Sequence, residues 1–229
     1  MAMTCEIRGS TRLLGVIGDP VAHSRSPAMH NAAFHALGLD WCYLPLHVTP
    51  TNLEVALRGL VALEFVGANV TIPHKEHAAA LCNELTPAAE AVDAVNTLTV
   101  QGERLAGDNT DVGGLLLTLA EAGVDVEGRE TLVLGAGGSA RAVVYALAQS
   151  GARVAVANRT LERAEALVER LQSRVRGQVQ ALSLADTAAL QASLERAVLL
   201  VNTTPVGMSP GPDESPLPAG LRFHPGLTV

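Results

Sequence analysis

A chain of 229 residues with 48% apolar side chains is long enough for one large domain or two ordinary ones, and at 3% aromatic its cores are built from Ala, Val and Leu. A formal charge of −7 argues against nucleic acid as a main partner, so an anionic ligand would need local positive potential. Cys5, Cys42 and Cys82 are widely spaced, which predicts reduced thiols in a cytoplasmic setting, and no apolar run suits a signal peptide or a membrane span.

Strand and helix patterns alternate throughout, predicting an α/β architecture with mainly parallel sheets. Leu13 to Ile17 reads as a strand, and Pro27 to Leu37 as a helix closed by Gly38. Between them lies Gly18-Asp19-Pro20, then Ser24-Arg25-Ser26-Pro27. Ser26 before Pro27 is a ready helix start, with serine as N-cap and proline at the first helical position. Ser24 has no such explanation, and a Ser-x-Ser pair beside a helix N-terminus suits a carboxylate ligand. Cys42 to Val48 is a second strand and Leu53 to Leu63 a second helix. A third strand, Gly67 to Ile72, delivers Asn69 and Thr71 to its end and is stopped by Pro73. A helix from Lys75 to Leu85 follows; taken alone, such a lysine is usually a solvated surface residue. Thr97 to Val100 and Arg104 to Gly107 are expected to pair as a hairpin across Gln101-Gly102. Gly107-Asp108-Asn109-Thr110-Asp111 leads into a helix from Val112 to Ala122, which Asp111 is placed to cap. The domain boundary is set here, giving residues 1–110 and 111–229.

The second half has strands near Thr131, Arg153, Val179 and Val198, and Met208 to Pro218 reads as one loop. Its first strand ends in Gly135-Ala136-Gly137-Gly138-Ser139, and an apolar helix from Ala140 to Gln149 follows. That order is the setting a dinucleotide fingerprint requires: Gly135 for the tight turn, Gly137 for close approach of a pyrophosphate, small Ala140 for helix–strand packing. The pyrophosphate would lie on the helix N-terminus. The next strand, Arg153 to Ala157, ends where NAD-binding proteins place an acidic residue, but here stand Asn158, Arg159 and Thr160, with Arg163 one turn on. A cation there pairs with a 2′-phosphate, which predicts NADP. Asn202 and Thr203, after the last strand, complete the expected cofactor-binding set.

Six motifs now stand in order: Gly-Asp-Pro with Ser-x-Ser-Pro, Asn-Val-Thr-Ile-Pro-His-Lys, Ala-Val-Asn-Thr-Leu, Gly-Asp-Asn-Thr-Asp, Gly-Ala-Gly-Gly and Asn-Arg-Thr. In this order and over nearly the whole chain the sequence resembles the shikimate dehydrogenases. The resemblance implies an N-terminal α/β substrate domain, a C-terminal Rossmann domain, and reduction of 3-dehydroshikimate to shikimate with NADPH in chorismate and aromatic amino-acid biosynthesis. By motif position it implies that Ser24 and Ser26 bind the substrate carboxylate. Thr71, Lys75, Asn96 and Asp111 then surround the ring hydroxyls and the reacting carbonyl, with Lys75 as acid/base and Asp111 as its partner. A nearby carboxylate favours the charged lysine, so ketone reduction finds its proton donor loaded, and alcohol oxidation is expected to gain rate with rising pH.

The expected partner is a small-molecule substrate, without nucleic acid or membrane, and the expected assembly a monomer or homodimer. His23/His30 and His74/His77 lack a carboxylate or cysteine set at ligand spacing, so no metal is expected. Relatives continue past the position of Val229 into another strand, a Tyr-containing loop and terminal helices bearing a substrate-binding glutamine, so an incomplete Rossmann domain is expected. Asp93 stands where relatives usually have glycine; if the position needs positive φ, aspartate is among the few residues that tolerate it. Two other readings stand beside the first: a broader quinate/shikimate dehydrogenase, disfavoured by Asn158-Arg159-Thr160, and a non-catalytic fragment that binds shikimate-like molecules.

Overall fold

The computed structural model describes residues 7–208 and 213–229, and divides the chain into two units, residues 1–109 and 110–229. Cys5, and residues 209–212 of the expected Met208–Pro218 loop, lie outside the described residues.

The first unit runs β1 (Arg12–Gly18), α1 (Ser26–Ala36), β2 (Trp41–His47), a 3-10 turn (Pro50–Asn52), α2 (Leu53–Ala62), β3 (Gly67–Val70), α3 (Lys75–Leu81), β4 (Glu84–Leu85), α4 (Pro87–Val92), β5 (Thr97–Gln101) and β6 (Arg104–Asp108). Its six strands lie in the order β2-β1-β3-β5-β6-β4, with β5 antiparallel to both neighbours and the other pairings parallel. Adjacent side chains of β1 point to opposite faces, as a pleated strand requires. Ile17 enters the core formed with Leu53, Leu57, Leu60 and Phe65, while Val16 packs with Val21, Phe34 and Tyr43.

Two expectations are corrected here, and one helix is added. The helix starting at Lys75 ends at Leu81 rather than Leu85, and residues 84–85 form a strand beside β6. Asn83 breaks it: its N–H donates to the Leu105 carbonyl (2.9 Å) and its Oδ1 accepts from Leu105 N–H (2.8 Å). The third strand stops at Val70, two residues short of Ile72. A helix not anticipated, α4, opens at Thr86-Pro87 with the Thr86 hydroxyl accepting from Ala89 N–H. It closes on Asp93 in the left-handed conformation (φ 52°, ψ 44°), as anticipated for an aspartate replacing glycine.

The second unit runs α5 (Thr110–Glu121), β7 (Glu130–Leu134), α6 (Gly138–Gln149), β8 (Arg153–Asn158), α7 (Leu161–Gln172), β9 (Gln178–Ser183), α8 (Thr187–Leu194) and β10 (Ala197–Asn202). All four strands are parallel, in the order β10-β7-β8-β9. Strand alternation again sorts the core: Val133, Val154 and Val156 face α6 and α7, and Leu132, Leu134, Ala155 and Ala157 face α8. The sheet is thus covered on both sides, the arrangement that near-continuous apolar strands need. Thr228 pairs with the outer edge of β10 through Leu200 N–H to Thr228 carbonyl (2.8 Å) and Thr228 N–H to Val198 carbonyl (3.0 Å). Among the described residues no helix is long and apolar enough to cross a membrane.

Candidate active site

In open sheets of mainly parallel strands, ligands gather beyond the carboxyl ends of the strands. In the first unit that edge holds the ends of β1, β2, β3 and β6, and, because β5 is reversed, the start of β5. Backbone hydrogen bonds lock the connecting segments together there. Thr71 N–H donates to the Ile17 carbonyl (2.9 Å), Asp19 N–H to Ile72 (3.0 Å), Val70 N–H to Asn96 (2.8 Å) and Asn96 N–H to Asp108 (3.0 Å). Val95 N–H donates to the Lys75 carbonyl (2.8 Å), so Lys75, Thr71 and Asn96 belong to one rigid frame.

Lys75 is the first residue of α3, half-buried, and preceded by His74, which is fully buried. The His74 Nε2–H donates to the Val48 carbonyl at 2.6 Å, pinning the helix start from beneath. This anchor was not foreseen, because a histidine beside a lysine carries no burial signal. Asn96 is buried, and its Oδ1 accepts from the Thr97 hydroxyl at 2.9 Å. The Asp108 carboxylate, also unforeseen, ties the neighbouring loop by accepting from Thr86 (2.5 Å) and from Asn109 N–H (2.7 Å).

At the other end of the same edge, α1 begins at Ser26 itself, with Arg25 in the cap position and no side-chain cap bond. The capping role expected of Ser26 is therefore not realised; Ser24 Oγ instead accepts from Ser26 N–H at 3.3 Å. With its oxygen already accepting, the Ser24 hydroxyl has its proton to give. The first turn of α1 contains no acidic residue, so nothing there opposes an anion. Ser24 and Ser26 are both half-buried. Asp111 lies in the second unit, inside the first turn of α5, one residue past the helix start and not in the expected cap position.

The glycine turn of the second unit separates two functions that look alike in the sequence. Gly135 has φ +108°, and a Cβ there would sit 2.6 Å from Thr203 Oγ1 and 3.2 Å from Thr204 Cγ2. Its N–H donates to the Ala157 carbonyl at 2.8 Å. Gly137 caps α6 with φ −93° and ψ −172°, which any residue can adopt, and a Cβ there meets nothing within 4 Å. Space above a helix N-terminus whose N–H groups point outward is what a bound pyrophosphate needs, so these residues fit a dinucleotide. Ala136 is buried and Gly138 and Ser139 half-buried, while Ala140 is fully buried against the strand.

Asn158 closes its own turn, its Nδ2 donating to the Thr160 carbonyl at 2.8 Å. Arg159, Thr160 and Arg163 are exposed at the carboxyl end of β8 and the start of α7. Thr203 and Asn202 lie beside Gly135, but much of their polar capacity serves the loop. The Thr203 hydroxyl donates to the Leu134 carbonyl (2.6 Å), and Asn202 Oδ1 accepts from Thr204 N–H (2.9 Å) and from its hydroxyl (2.7 Å). The crevice between β7 and β10 is the switch point of this sheet, since the chain runs outward from β7 in one direction and returns to its other side with β10.

Two family models match the chain: "Shikimate dehydrogenase substrate binding domain" over residues 16–98 and "Shikimate / quinate 5-dehydrogenase" over residues 118–204. A shikimate dehydrogenase (NADP(+)) of Methanopyrus kandleri is 46% identical over 231 residues, spanning 100% of this chain and 79% of the relative. The shikimate 5-dehydrogenase of Listeria monocytogenes, solved with shikimate and NAD, superposes with a TM-score of 0.85 at 36% identity, covering 98% of this chain and 79% of that one. The Thermus thermophilus enzyme, solved with NADP(H) and shikimate, gives 0.79 at 40% identity, covering 93% and 75%. The matched ranges fall in both units and the relatives span most of the chain, so the chain belongs to the shikimate dehydrogenase family.

Proposed function

We propose that this chain catalyses the reversible NADPH-dependent reduction of 3-dehydroshikimate to shikimate. The observation that carries the reading is the rigid frame holding Lys75, Thr71 and Asn96 at one sheet edge, where a lysine set by a buried histidine is not an ordinary surface residue.

Ser24 and Ser26 receive the substrate carboxylate at the α1 N-terminus, where the helix dipole and the free Ser24 proton favour an anion. Thr71 and Asn96 engage ring hydroxyls. Gly137, Gly138 and Ser139 hold the cofactor pyrophosphate, and Arg159, supported by Thr160 and Arg163, holds its 2′-phosphate. Bound there, NADPH supplies the hydride that adds to the ketone carbon. As the C–H bond forms, the carbonyl π pair moves onto oxygen, and the Lys75 ammonium gives that oxygen a proton, leaving a neutral amine that solvent recharges. Asp111, in the first turn of α5, is the carboxylate proposed to act with Lys75 in the reaction.

The test is loss of NADPH absorbance with 3-dehydroshikimate, run beside 3-dehydroquinate and beside NADH. Turnover of 3-dehydroshikimate with NADPH is expected. Equal or greater turnover of 3-dehydroquinate would move the assignment to a quinate enzyme, and binding without turnover would leave only a ligand-binding module.

A further inference from the structure

Three polar side chains behind Asn96 are left unexplained by the reaction as described: Tyr43, Asn69 and Thr97. Tyr43 is on β2, the edge strand, yet is only 3% exposed, because α1 closes over it. The His30 ring stacks on it at 4.3 Å, and the Asn31 side chain brackets its backbone, donating to the Tyr43 carbonyl (2.9 Å) and accepting from its N–H (2.8 Å). Its hydroxyl donates to Asn69 Oδ1 at 2.6 Å. Asn69 Nδ2 in turn lies 3.3 Å from both the Asn96 carbonyl and Thr97 Oγ1, and the Thr97 hydroxyl donates to Asn96 Oδ1 at 2.9 Å.

The direction of this chain is decided by one group. An amide's O and N ends are assigned from their partners, and the Asn96 backbone carbonyl can only accept. Asn69 must therefore turn Nδ2 toward it and Oδ1 toward Tyr43. Thr97 Oγ1, accepting from Asn69, has its own proton left for Asn96. The Asn96 side chain is then held by its oxygen end, and the end it offers elsewhere is the Nδ2 donor.

We propose that Tyr43, Asn69 and Thr97 are positioning residues that fix the polarity of the Asn96 amide, so that Asn96 meets its substrate oxygen as a donor; this rests on the function proposed above. The relay runs from α1, which carries the carboxylate-binding serines, to the start of β5. It couples the two ends of the substrate pocket through side chains that need not touch substrate themselves.

Steady-state kinetics on the whole chain test this. Thr97→Val keeps the shape and removes the donor. It should lower kcat/KM for 3-dehydroshikimate by about 3- to 10-fold, the worth of one neutral hydrogen bond, with KM for NADPH unchanged. Thr97→Ser should restore kcat/KM to within about twofold, because the hydroxyl returns. In an Asn96→Ala background, Thr97→Val should have no further effect, since a residue acting through Asn96 has nothing left to act on. Should Thr97→Val not fold, Tyr43→Phe carries the same cycle. Additive losses in the double variant, or a serine variant as impaired as valine, would overturn the relay. A wild-type chain inert toward 3-dehydroshikimate would instead overturn the function on which it rests.

Discussion

Gly135 and Gly137 stand two residues apart in one turn, and replacing each by alanine should damage different properties. At Gly135 the added methyl meets two obstacles. A non-glycine residue in a sparsely populated backbone region costs about 1–3 kcal/mol. The new Cβ would also lie 2.6 Å from Thr203 Oγ1, which cannot withdraw without losing its 2.6 Å bond to the Leu134 carbonyl. Losing that bond adds about 0.5–1.5 kcal/mol, so Gly135→Ala should destabilise the second unit by about 2–4 kcal/mol. At Gly137 the conformation is ordinary and the space is open, so Gly137→Ala should leave stability within about 0.5 kcal/mol. Its methyl projects into the place assigned to the pyrophosphate, and NADPH affinity should fall by about tenfold or more. Urea unfolding should be followed by circular dichroism, because the sole tryptophan, Trp41, is in the first unit and its fluorescence reports there. Trp41 fluorescence then serves as the control that should not move. If Gly137→Ala proves as unstable as Gly135→Ala, or binds NADPH like the wild type, the division of labour between the two glycines is wrong.

Other consequences are open to simple assays. Arg159→Asp should erode the preference for NADPH over NADH by about ten- to a hundredfold, the worth of a charged hydrogen-bonding partner; an unmoved ratio of kcat/KM values would place cofactor selection elsewhere. Lys75→Ala should lose turnover by about 10²–10⁴-fold with far less change in substrate binding, checked by single-turnover rates beside equilibrium titration. Burial pushes the Tyr43 hydroxyl up to about 12, so the folded state holds its proton more tightly than the unfolded chain does. The stability that this contributes is complete below the ordinary tyrosine value of about 10 and is lost as pH climbs through the folded value. Tyr43→Phe should therefore flatten the alkaline branch of the stability curve, read as unfolding midpoint against pH. The Cys82 thiol, raised to about 11 by burial and donating to the Ala78 carbonyl, should react with a disulfide reagent at pH 8 far more slowly than a free thiol.

Local chemistry makes much of this architecture legible in the sequence. The apolar runs ending at Gly18 and Gly135 are strands because their side chains are buried on both faces, and a continuous apolar run signals that directly. Asp93 is one of the few residues that tolerate the left-handed conformation, and it adopts that conformation. Ala78 to Cys82 is apolar and lacks a breaker, so the local pattern carries the third helix past its real end. What ends it is Asn83 bonding to Leu105, a partner 22 residues away that no local window contains. Helix α4 differs, because its Thr86-Pro87 start is a local signal carried by the sequence itself. Ser26 is deceptive in the opposite sense: its position before proline looks like a cap, but Arg25 takes the cap position and Ser24 Oγ accepts from Ser26 N–H. The relay behind Asn96 was the least legible part, because its members come from three strands, β2, β3 and β5, and from the residue just before the last of these.

The place of β10 has a consequence for the living cell. The strand that backs the glycine turn is the last of the second sheet to be synthesised, and the bond from Thr203 to Leu134 joins residues 69 apart in the chain. A ribosome that has just released Ala140 has exposed the whole fingerprint, yet the wall against which Gly135 bends does not exist. Nucleotide capture must wait for β10 to emerge and dock beside β7, a long-range closure of the kind that slows folding. Until then Gly135 lacks the Thr203 and Thr204 neighbours that enclose its turn in the folded chain.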